Sequence, residues 1–152
     1  LITHILLLIK MYVKIAPADV NNKTILSIYT QDITFQDGKP FMPLFAPRTI
    51  TIKPHETKIV DLEIVCTVSS SPCAYIPMGY YIGIHEDCEK FPLRLSRGIN
   101  MFPARFNQNI CIQVDNISDA ECRIDQGAVL FQMSSPIMNP IKRVITELIS
   151  KF

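Results

Sequence analysis

The sequence has 152 residues, of which 48% are hydrophobic, and its 15 basic and 14 acidic side chains leave a formal charge of +1. A chain of this length forms one domain that buries enough apolar surface to fold without a disulfide or metal scaffold. The near-zero net charge excludes broad electrostatic capture of nucleic acid or of an anionic membrane.

Residues 1–11 form an apolar N-terminal segment, in which Leu1 to Ile9 are apolar except for Thr3 and His4. This run is far shorter than the roughly 20 residues that span a bilayer, so we predict no membrane span. It also has neither the basic start nor the small-residue cleavage site of a secretory signal. Because a row of exposed apolar residues promotes aggregation, we expect a fragment end, an arm seated on a neighbouring surface, or a buried edge strand.

Residues 12–138 are predicted to form an all-β domain, because short β-branched and aromatic runs alternate with Pro, Gly, Asn and Asp. In the run from Lys58 to Cys66 the residues Val60, Leu62, Ile64 and Cys66 alternate with residues that are mostly polar. This alternation places one face of the run in a core and predicts a sandwich or a distorted barrel. The predicted strands are Tyr12–Ile15, Thr24–Tyr29, Thr49–Lys53, Lys58–Cys66, Cys73–Ile76, Tyr80–His85, Asn109–Val114 and Ala128–Met133.

Two stretches rich in turn-forming residues, 31–48 and 86–108, are predicted to be long connections. Long connections inside a compact domain often bind ligands or contact other subunits. The run from His85 to Cys88 offers the densest set of potential metal ligands. Adjacent strand residues point to opposite faces, however, so we interpret this run as a solvated loop and predict no metal or cofactor.

Residues 139–152 are predicted to form an amphipathic helix, with Asn139 as N-cap and Pro140 in the first turn. So short a helix is marginal by itself in water and must dock, either on its own β core or on a partner protein. The apolar residues that we assign to partner binding recur at helical spacing: Ile141, Val144, Ile145, Leu148, Ile149 and Phe152.

The five cysteines form no Cys-x-x-Cys pair, and the chain has no histidine set at zinc-ligand spacing. An odd number of cysteines is most simply explained by a reducing, intracellular compartment, with a virion as a further location. No nucleophile elbow or glycine-rich phosphate loop is present, so the residues themselves point to no enzyme class.

Five segments in order carry a family likeness: Thr49 to Ile64, a strand, Pro turn and strand; Ile76 to Ile84, with Pro-Met-Gly-Tyr-Tyr; Arg97-Gly-Ile; Ala104 to Asn116; and Asp125 to Met133. This order resembles the trimeric deoxyuridine triphosphatase (dUTPase) superfamily. The resemblance implies a dUTPase-like β fold, a homotrimer and, given the departures below, a viral protein that has lost catalysis.

The departures from the family pattern lie at the catalytic positions. Pro103 stands near the family's water-activating Asp, Phe106 at its Tyr and Asn107 at its Arg, whereas Gly127 and Gln132 are retained. A proline cannot act as a general base, and phenylalanine has no hydroxyl. The family's phosphate-contacting Arg and Ser have no counterpart between His85 and Cys88, and its opening Asp motif has none in residues 31–48.

We therefore predict a non-enzymatic structural or interaction subunit that assembles as a homotrimer and contacts other proteins. Two alternatives remain at this point. One is a divergent dUTP hydrolase in which Asp87 or Asp115 holds magnesium, and the other is a jelly-roll capsid protein.

Overall fold

A computed structural model describes residues 10–70, 76–85 and 91–147. Within these ranges the chain forms thirteen strands and one helix. The elements are β1 (Met11–Pro17), α1 (Lys23–Thr30), β2 (Met42–Phe45), β3 (Ile50–Ile52), β4 (Thr57–Asp61), β5 (Ile64–Ser70), β6 (Ile76–Pro77), β7 (Tyr80–Ile84), β8 (Leu93–Leu95), β9 (Asn100–Phe102), β10 (Cys111–Asn116), β11 (Cys122–Ile124), β12 (Val129–Ser134) and β13 (Ile141–Ile145). The predicted all-β class is confirmed.

The strands form four small sheets and no closed barrel in the described part of the chain. Their orders are β13-β1-β5-β6, β4-β10-β8, β11-β3 and β2-β12-β7-β9. One continuous apolar core lies between the sheets, and strands from all four of them contribute to it. No helix in the described ranges is long and apolar enough to cross a membrane.

The predicted strand Lys58–Cys66 is two strands, β4 and β5, because the backbone turns at Glu63, which has a φ of +56°. Its predicted burial pattern is nevertheless confirmed, since Val60, Leu62, Ile64 and Cys66 are all buried. The bend therefore changes the sheet to which the chain belongs without moving the apolar side chains out of the core.

The prediction of a strand at Thr24–Tyr29 is wrong, because this segment is the helix α1. The side-chain oxygen of Asn22 accepts a hydrogen bond from the backbone N–H of Ile25 at 3.2 Å, which caps the helix. Ile25 and Tyr29, four residues apart, lie on the face that packs into the core. The β-branched residues suggested a strand, but the cap and the helical spacing determine the structure.

The predicted C-terminal helix is also wrong, because Ile141–Ile145 is a strand that pairs in parallel with β1. Asn139 does not cap a helix; its backbone N–H and side-chain oxygen bond to the hydroxyl of Ser135, and both residues are buried at the base of an exposed turn. The backbone of β13 gains a ladder of hydrogen bonds with β1, and this pairing outweighs the helical spacing of its apolar residues.

The connection predicted for residues 31–48 contains the strand β2, which pairs with β12 at the register Gln132 to Pro43. Two further short strands, β8 and β9, lie in the stretch 86–108, of which residues 86–90 are outside the described ranges. The predicted strand Cys73–Ile76 is described only from Ile76, which begins β6. These short strands lack the alternation by which longer ones are recognised.

Candidate functional site

The residues that the family resemblance places at catalytic positions lie in a turn directly after β9. The backbone N–H of Phe106 bonds to the carbonyl of Pro103 at 3.3 Å, and Arg105 between them adopts a φ of +68°. Pro103 and Asn107 are exposed, whereas the ring of Phe106 is half-buried. The structure thus brings the three predicted positions together in one turn.

An aromatic stack holds this turn against the core. The rings of Tyr80 and Phe102 are stacked with centroids 5.1 Å apart, and Phe106 meets Phe102 edge to face, also at 5.1 Å. Such pairs stabilise a fold by about 0.5–1.5 kcal/mol beyond the area they bury. Phe106 is therefore a packing residue in this chain, and its ring has no group that binds or transfers a proton.

The hydroxyl of Tyr80 is buried and has no hydrogen-bond partner within the described residues. Burial, followed by the nearby Cys66 thiol, raises the pKa of this hydroxyl above its ordinary value. Burial also raises the pKa of Cys66. Both groups stay protonated at neutral pH, so neither supplies a base or a nucleophile.

Beside the turn lies an apolar groove of about 390 Å³. Its described lining contains no charged side chain, and we call it the apolar groove below. Its lining residues are Met78, Gly79, Tyr80, Tyr81, Met101, Phe102, Pro103, Pro136 and Ile137. A triphosphate requires cationic or hydrogen-bond-donating partners, which this lining does not provide.

Gln132 lines a second cavity of about 600 Å³, which we call the Gln132 cavity. Lys39, His85 and Thr34 supply the other polar groups of its lining, together with apolar residues from the segment before β2. None of the described residues that line it is acidic. In those residues the cavity therefore lacks a carboxylate that would hold a magnesium ion or activate a water.

Asp115, named in the hydrolase alternative, is already engaged by three neighbours. One carboxylate oxygen accepts hydrogen bonds from Ser96 and Thr57, each at 2.6 Å, and the other accepts from Arg94 at 3.2 Å. The pKa of Asp115 is lowered chiefly by the hydrogen bonds from Ser96 and Thr57 and further by Arg94. Together these interactions outweigh burial, which raises the pKa. A carboxylate held in this way is a weak base, and the geometry indicates a structural role that links β4, β8 and β10.

The retained Gly127 lies in the turn before β12 with a φ of +84°, a conformation that favours glycine. Its backbone N–H donates to the carbonyl of Ala46 at 2.8 Å. This geometry gives Gly127 a structural role in the turn. Gln132 has a different setting, because it faces the Gln132 cavity.

The residues assigned to partner binding at the C-terminus divide into three groups. Ile141 is buried in the protein's own core, and Ile145 packs against that core. Val144 is 37% exposed. Leu148, Ile149 and Phe152 are outside the described residues, so their assignment to a partner surface stays a prediction.

The run from His85 to Cys88 has residues 86–88 outside the described ranges, so its interpretation as a loop without a metal stays a prediction. Across residues 10–70, 76–85 and 91–147, no group of three or more His, Cys, Asp or Glu side chains lies close enough to hold a metal ion. The thiols of Cys66, Cys111 and Cys122 are free.

Sequence reasoning missed a buried ion pair that fixes the C-terminal strand. A guanidinium nitrogen of Arg143 lies 2.7 Å from a carboxylate oxygen of Asp32, and the guanidinium sits 4.9 Å from the centre of the Phe35 ring. The side chains of Arg143 and Asp32 are only 9% and 2% exposed. The residues around Asp32 and Arg143 in the sequence do not predict this pair, because only the fold brings the two side chains together.

Comparison with known proteins finds likeness in structure alone: no family model matches the chain, and no curated protein matches it in sequence. The dUTPase of EIAV is 16% identical with a TM-score of 0.55, covering 80% of this chain and 85% of its own. A Staphylococcus bacteriophage 80alpha dUTPase mutant solved with dUpNHpp is 14% identical with a TM-score of 0.55, covering 80% of both chains. A phage phi11 dUTPase mutant, whose structure describes a structural Mg(II) ion, is 14% identical with a TM-score of 0.55, covering 80% of this chain and 88% of its own.

The likeness extends over most of the chain, whereas the low identity restricts it to architecture. It confirms the dUTPase-like β fold that the family resemblance implied. Because the strands are arranged as in the dUTPases, the alternative prediction of a jelly-roll fold is wrong. The chain therefore has the fold of the dUTPases.

Proposed function

We propose that this protein is a non-enzymatic structural or protein-interaction subunit built on the dUTPase fold, and that it is viral. One observation carries the proposal: in the turn that holds Pro103, Phe106 and Asn107, the ring of Phe106 packs on Phe102 beside an apolar groove. The position that the resemblance assigns to a phenol thus holds a phenylalanine that packs, and the positions that it assigns to an acid and a guanidinium hold an exposed proline and an exposed asparagine. A viral origin is supported by the EIAV and phage proteins among the structural relatives.

Phosphoanhydride cleavage requires an activated water and groups that neutralise the charge of the phosphates. The apolar groove offers neither, and Asp115 has both oxygens occupied by neighbours. The experiment that tests the proposal is a pyrophosphate-release assay with dUTP and magnesium. We expect no release above the blank, and sustained turnover would refute the proposal.

We further propose that the protein assembles as a homotrimer and contacts other protein subunits. The family resemblance is the support for the trimer. Light scattering after size-exclusion chromatography measures the mass of the assembly, for which we expect three times the 17.3 kDa of the chain. A monodisperse monomer at micromolar concentration would contradict this part of the proposal.

A divergent dUTP hydrolase is the second candidate, and the Gln132 cavity favours it. This cavity holds the retained Gln132 together with Lys39 and His85, and His85 directly precedes the acidic Glu86 and Asp87 in the chain. Under this alternative, Asp87 holds magnesium next to the bound nucleotide. Pyrophosphate release that disappears in Asp87→Ala would establish it.

The location that we propose is a reducing compartment, with the virion as the alternative. Free thiols at Cys66, Cys111 and Cys122 are in keeping with reducing conditions. Probing purified virions and the soluble fraction of expressing cells with an antibody to this protein would separate the two locations.

A further inference from the structure

Large apolar side chains at the rim of the apolar groove are exposed to water. Met101 and Ile137 on its two sides are 70% and 61% exposed. Met138, next to Ile137, is half exposed. A concave apolar surface with large exposed side chains at its rim is typical of a site that another apolar segment covers.

The turn that carries Ile137 is held rigidly in place. Ser135 and Asn139 are buried and bond to each other through the Ser135 hydroxyl, at 2.7 Å to the Asn139 side-chain oxygen and 2.9 Å to its backbone nitrogen. Ile137 is therefore exposed because these hydrogen bonds fix the turn that carries it. A pre-formed surface lowers the entropy cost for any segment that docks on it.

Residues 1–9 have the chemistry that this groove accepts. Seven of these nine residues are Leu or Ile, and none carries Asp, Glu, Lys or Arg. The described lining of the groove also contains no charged side chain. A segment of this composition gains free energy by leaving water and brings no charge that would have to be desolvated.

The chain also leaves β1 close to the groove. The backbone N–H of Met11 donates to the carbonyl of Pro140 at 2.8 Å, so Lys10 adjoins the end of the turn that supplies Pro136 and Ile137. On the other side, Met11 pairs with Ser70, and Ser70 pairs with Ile76 of β6. Met78, which lines the groove, follows β6 directly.

The distance is within reach of the segment. Two strand spacings separate β1 from β6, which is about 10 Å. Nine extended residues span at most roughly 30 Å. Residues 1–9 therefore have enough length to cross β5 and β6 and still lie along the groove.

We propose that the apolar groove is the docking site of residues 1–9 of the same chain. This intramolecular contact covers Met101, Phe102 and Ile137 and removes the apolar segment from water. It is independent of whether the protein hydrolyses a nucleotide.

A single tryptophan tests the proposal, because the sequence contains none. In the 152-residue chain carrying Ile5→Trp, we expect blue-shifted emission and weak quenching by acrylamide. Adding Met101→Glu or Ile137→Glu places a charge in the groove, and we expect the emission to shift to the red and acrylamide quenching to rise at least twofold. The matched control is Ile59→Glu, which alters a residue that is 67% exposed on β4 and does not line the groove; it leaves both readings unchanged.

Two results would overturn the proposal. The first is a tryptophan that is solvent-exposed in Ile5→Trp and also in a second reporter, Leu8→Trp, while circular dichroism shows both variants folded. The second is a protected tryptophan that responds equally to the groove variants and to Ile59→Glu.

The same-chain assignment has its own readout. Protection of the tryptophan must not change over a hundredfold dilution, and mixing the variant that carries both Ile5→Trp and Met101→Glu with excess wild-type protein must not restore it. Recovery on mixing would show that residues 1–9 occupy the groove of another copy and would overturn the intramolecular proposal.

Discussion

Breaking the buried pair of Asp32 and Arg143 will destabilise the protein much more than breaking an exposed pair of the same chemistry. In Asp32→Asn the shape of the side chain is kept, but the guanidinium of Arg143, which is 9% exposed, loses its counter-charge. Removing one partner of a buried pair costs about 3–5 kcal/mol, because the remaining charge stays desolvated. For a chain of this size, that loss lowers the melting temperature by roughly 10 °C.

The matched control is Asp125→Asn, which breaks the ion pair with Arg123. These side chains are 71% exposed for Arg123 and 77% for Asp125, and their nitrogen and oxygen lie 3.1 Å apart. Exposed pairs contribute about 0–1 kcal/mol, so the control must stay close to the wild type. Urea denaturation followed by circular dichroism measures both variants.

The reasoning is refuted if Asp32→Asn and Asp125→Asn lower the free energy of unfolding by the same small amount. That result would mean that Arg143 is solvated or finds another partner when Asp32 is neutral. Hydrogen exchange adds a local readout, because Arg143 ties β13 to the connection that precedes β2. We expect Asp32→Asn to accelerate exchange in β13 before the rest of the sheet.

Three further predictions follow from single contacts. Burial raises the pKa of Asp32, but the hydrogen bonds from Thr34 and Arg143 outweigh it and leave the pKa below its ordinary value. The stability that Asp32 contributes is therefore present above about pH 4 and is lost as the pH falls through the lowered pKa. A melting temperature that rises from pH 5 to pH 3 would contradict this. Tyr80→Phe removes a buried hydroxyl that has no partner among the described residues, and it should leave the stability unchanged or raise it by up to about 1 kcal/mol. Tyr29→Phe removes the acceptor of the Phe45 N–H and should cost about 1–3 kcal/mol in thermal denaturation. The reverse order of the two stabilities would be inconsistent with the structure. Gly79→Ala places a Cβ 2.9 Å from the backbone oxygen of Phe102 and should cost roughly 1–3 kcal/mol. Gly83→Ala, with no atom within 4 Å of its Cβ, should be neutral or slightly stabilising. Equal melting temperatures for the two variants would argue against the close packing of β7 and β9.

Local sequence patterns predicted the strands whose signal is contained within a few residues. The alternation of Val60, Leu62, Ile64 and Cys66 identified the buried face correctly even though the backbone turns at Glu63. Each of these side chains is buried whichever sheet its strand joins. An alternating pattern predicts burial correctly even when the strand changes sheet, because burial depends on the face of the strand that carries the side chain and not on the partner strand.

The tail after Asn139 shows why the remaining elements were not predictable. Ile141, Val144 and Ile145 are compatible with one face of a helix and equally with a short β-branched strand. Pairing with β1, near the opposite end of the chain, decides between these conformations. A single sequence contains no record of that long-range contact, so local spacing gave the wrong element.

The candidate site was predictable in part. The family resemblance located Pro103, Phe106 and Asn107, and the structure brings them into one turn. The apolar groove was not predictable, because β7, β9 and the turn after β12 supply its walls from separate parts of the chain. Neither Met101 nor Ile137 belongs to a sequence pattern that distinguishes it from an ordinary surface residue.

We propose that this chain keeps the dUTPase fold without the groups that cleave a phosphoanhydride. The most direct test is pyrophosphate release from dUTP with magnesium at micromolar protein, measured beside the EIAV dUTPase as a positive control and a protein-free blank. We expect turnover by the control and, for this protein, a rate equal to the blank over hours. Release above the blank that is lost in Asp87→Ala would contradict it and establish a hydrolase.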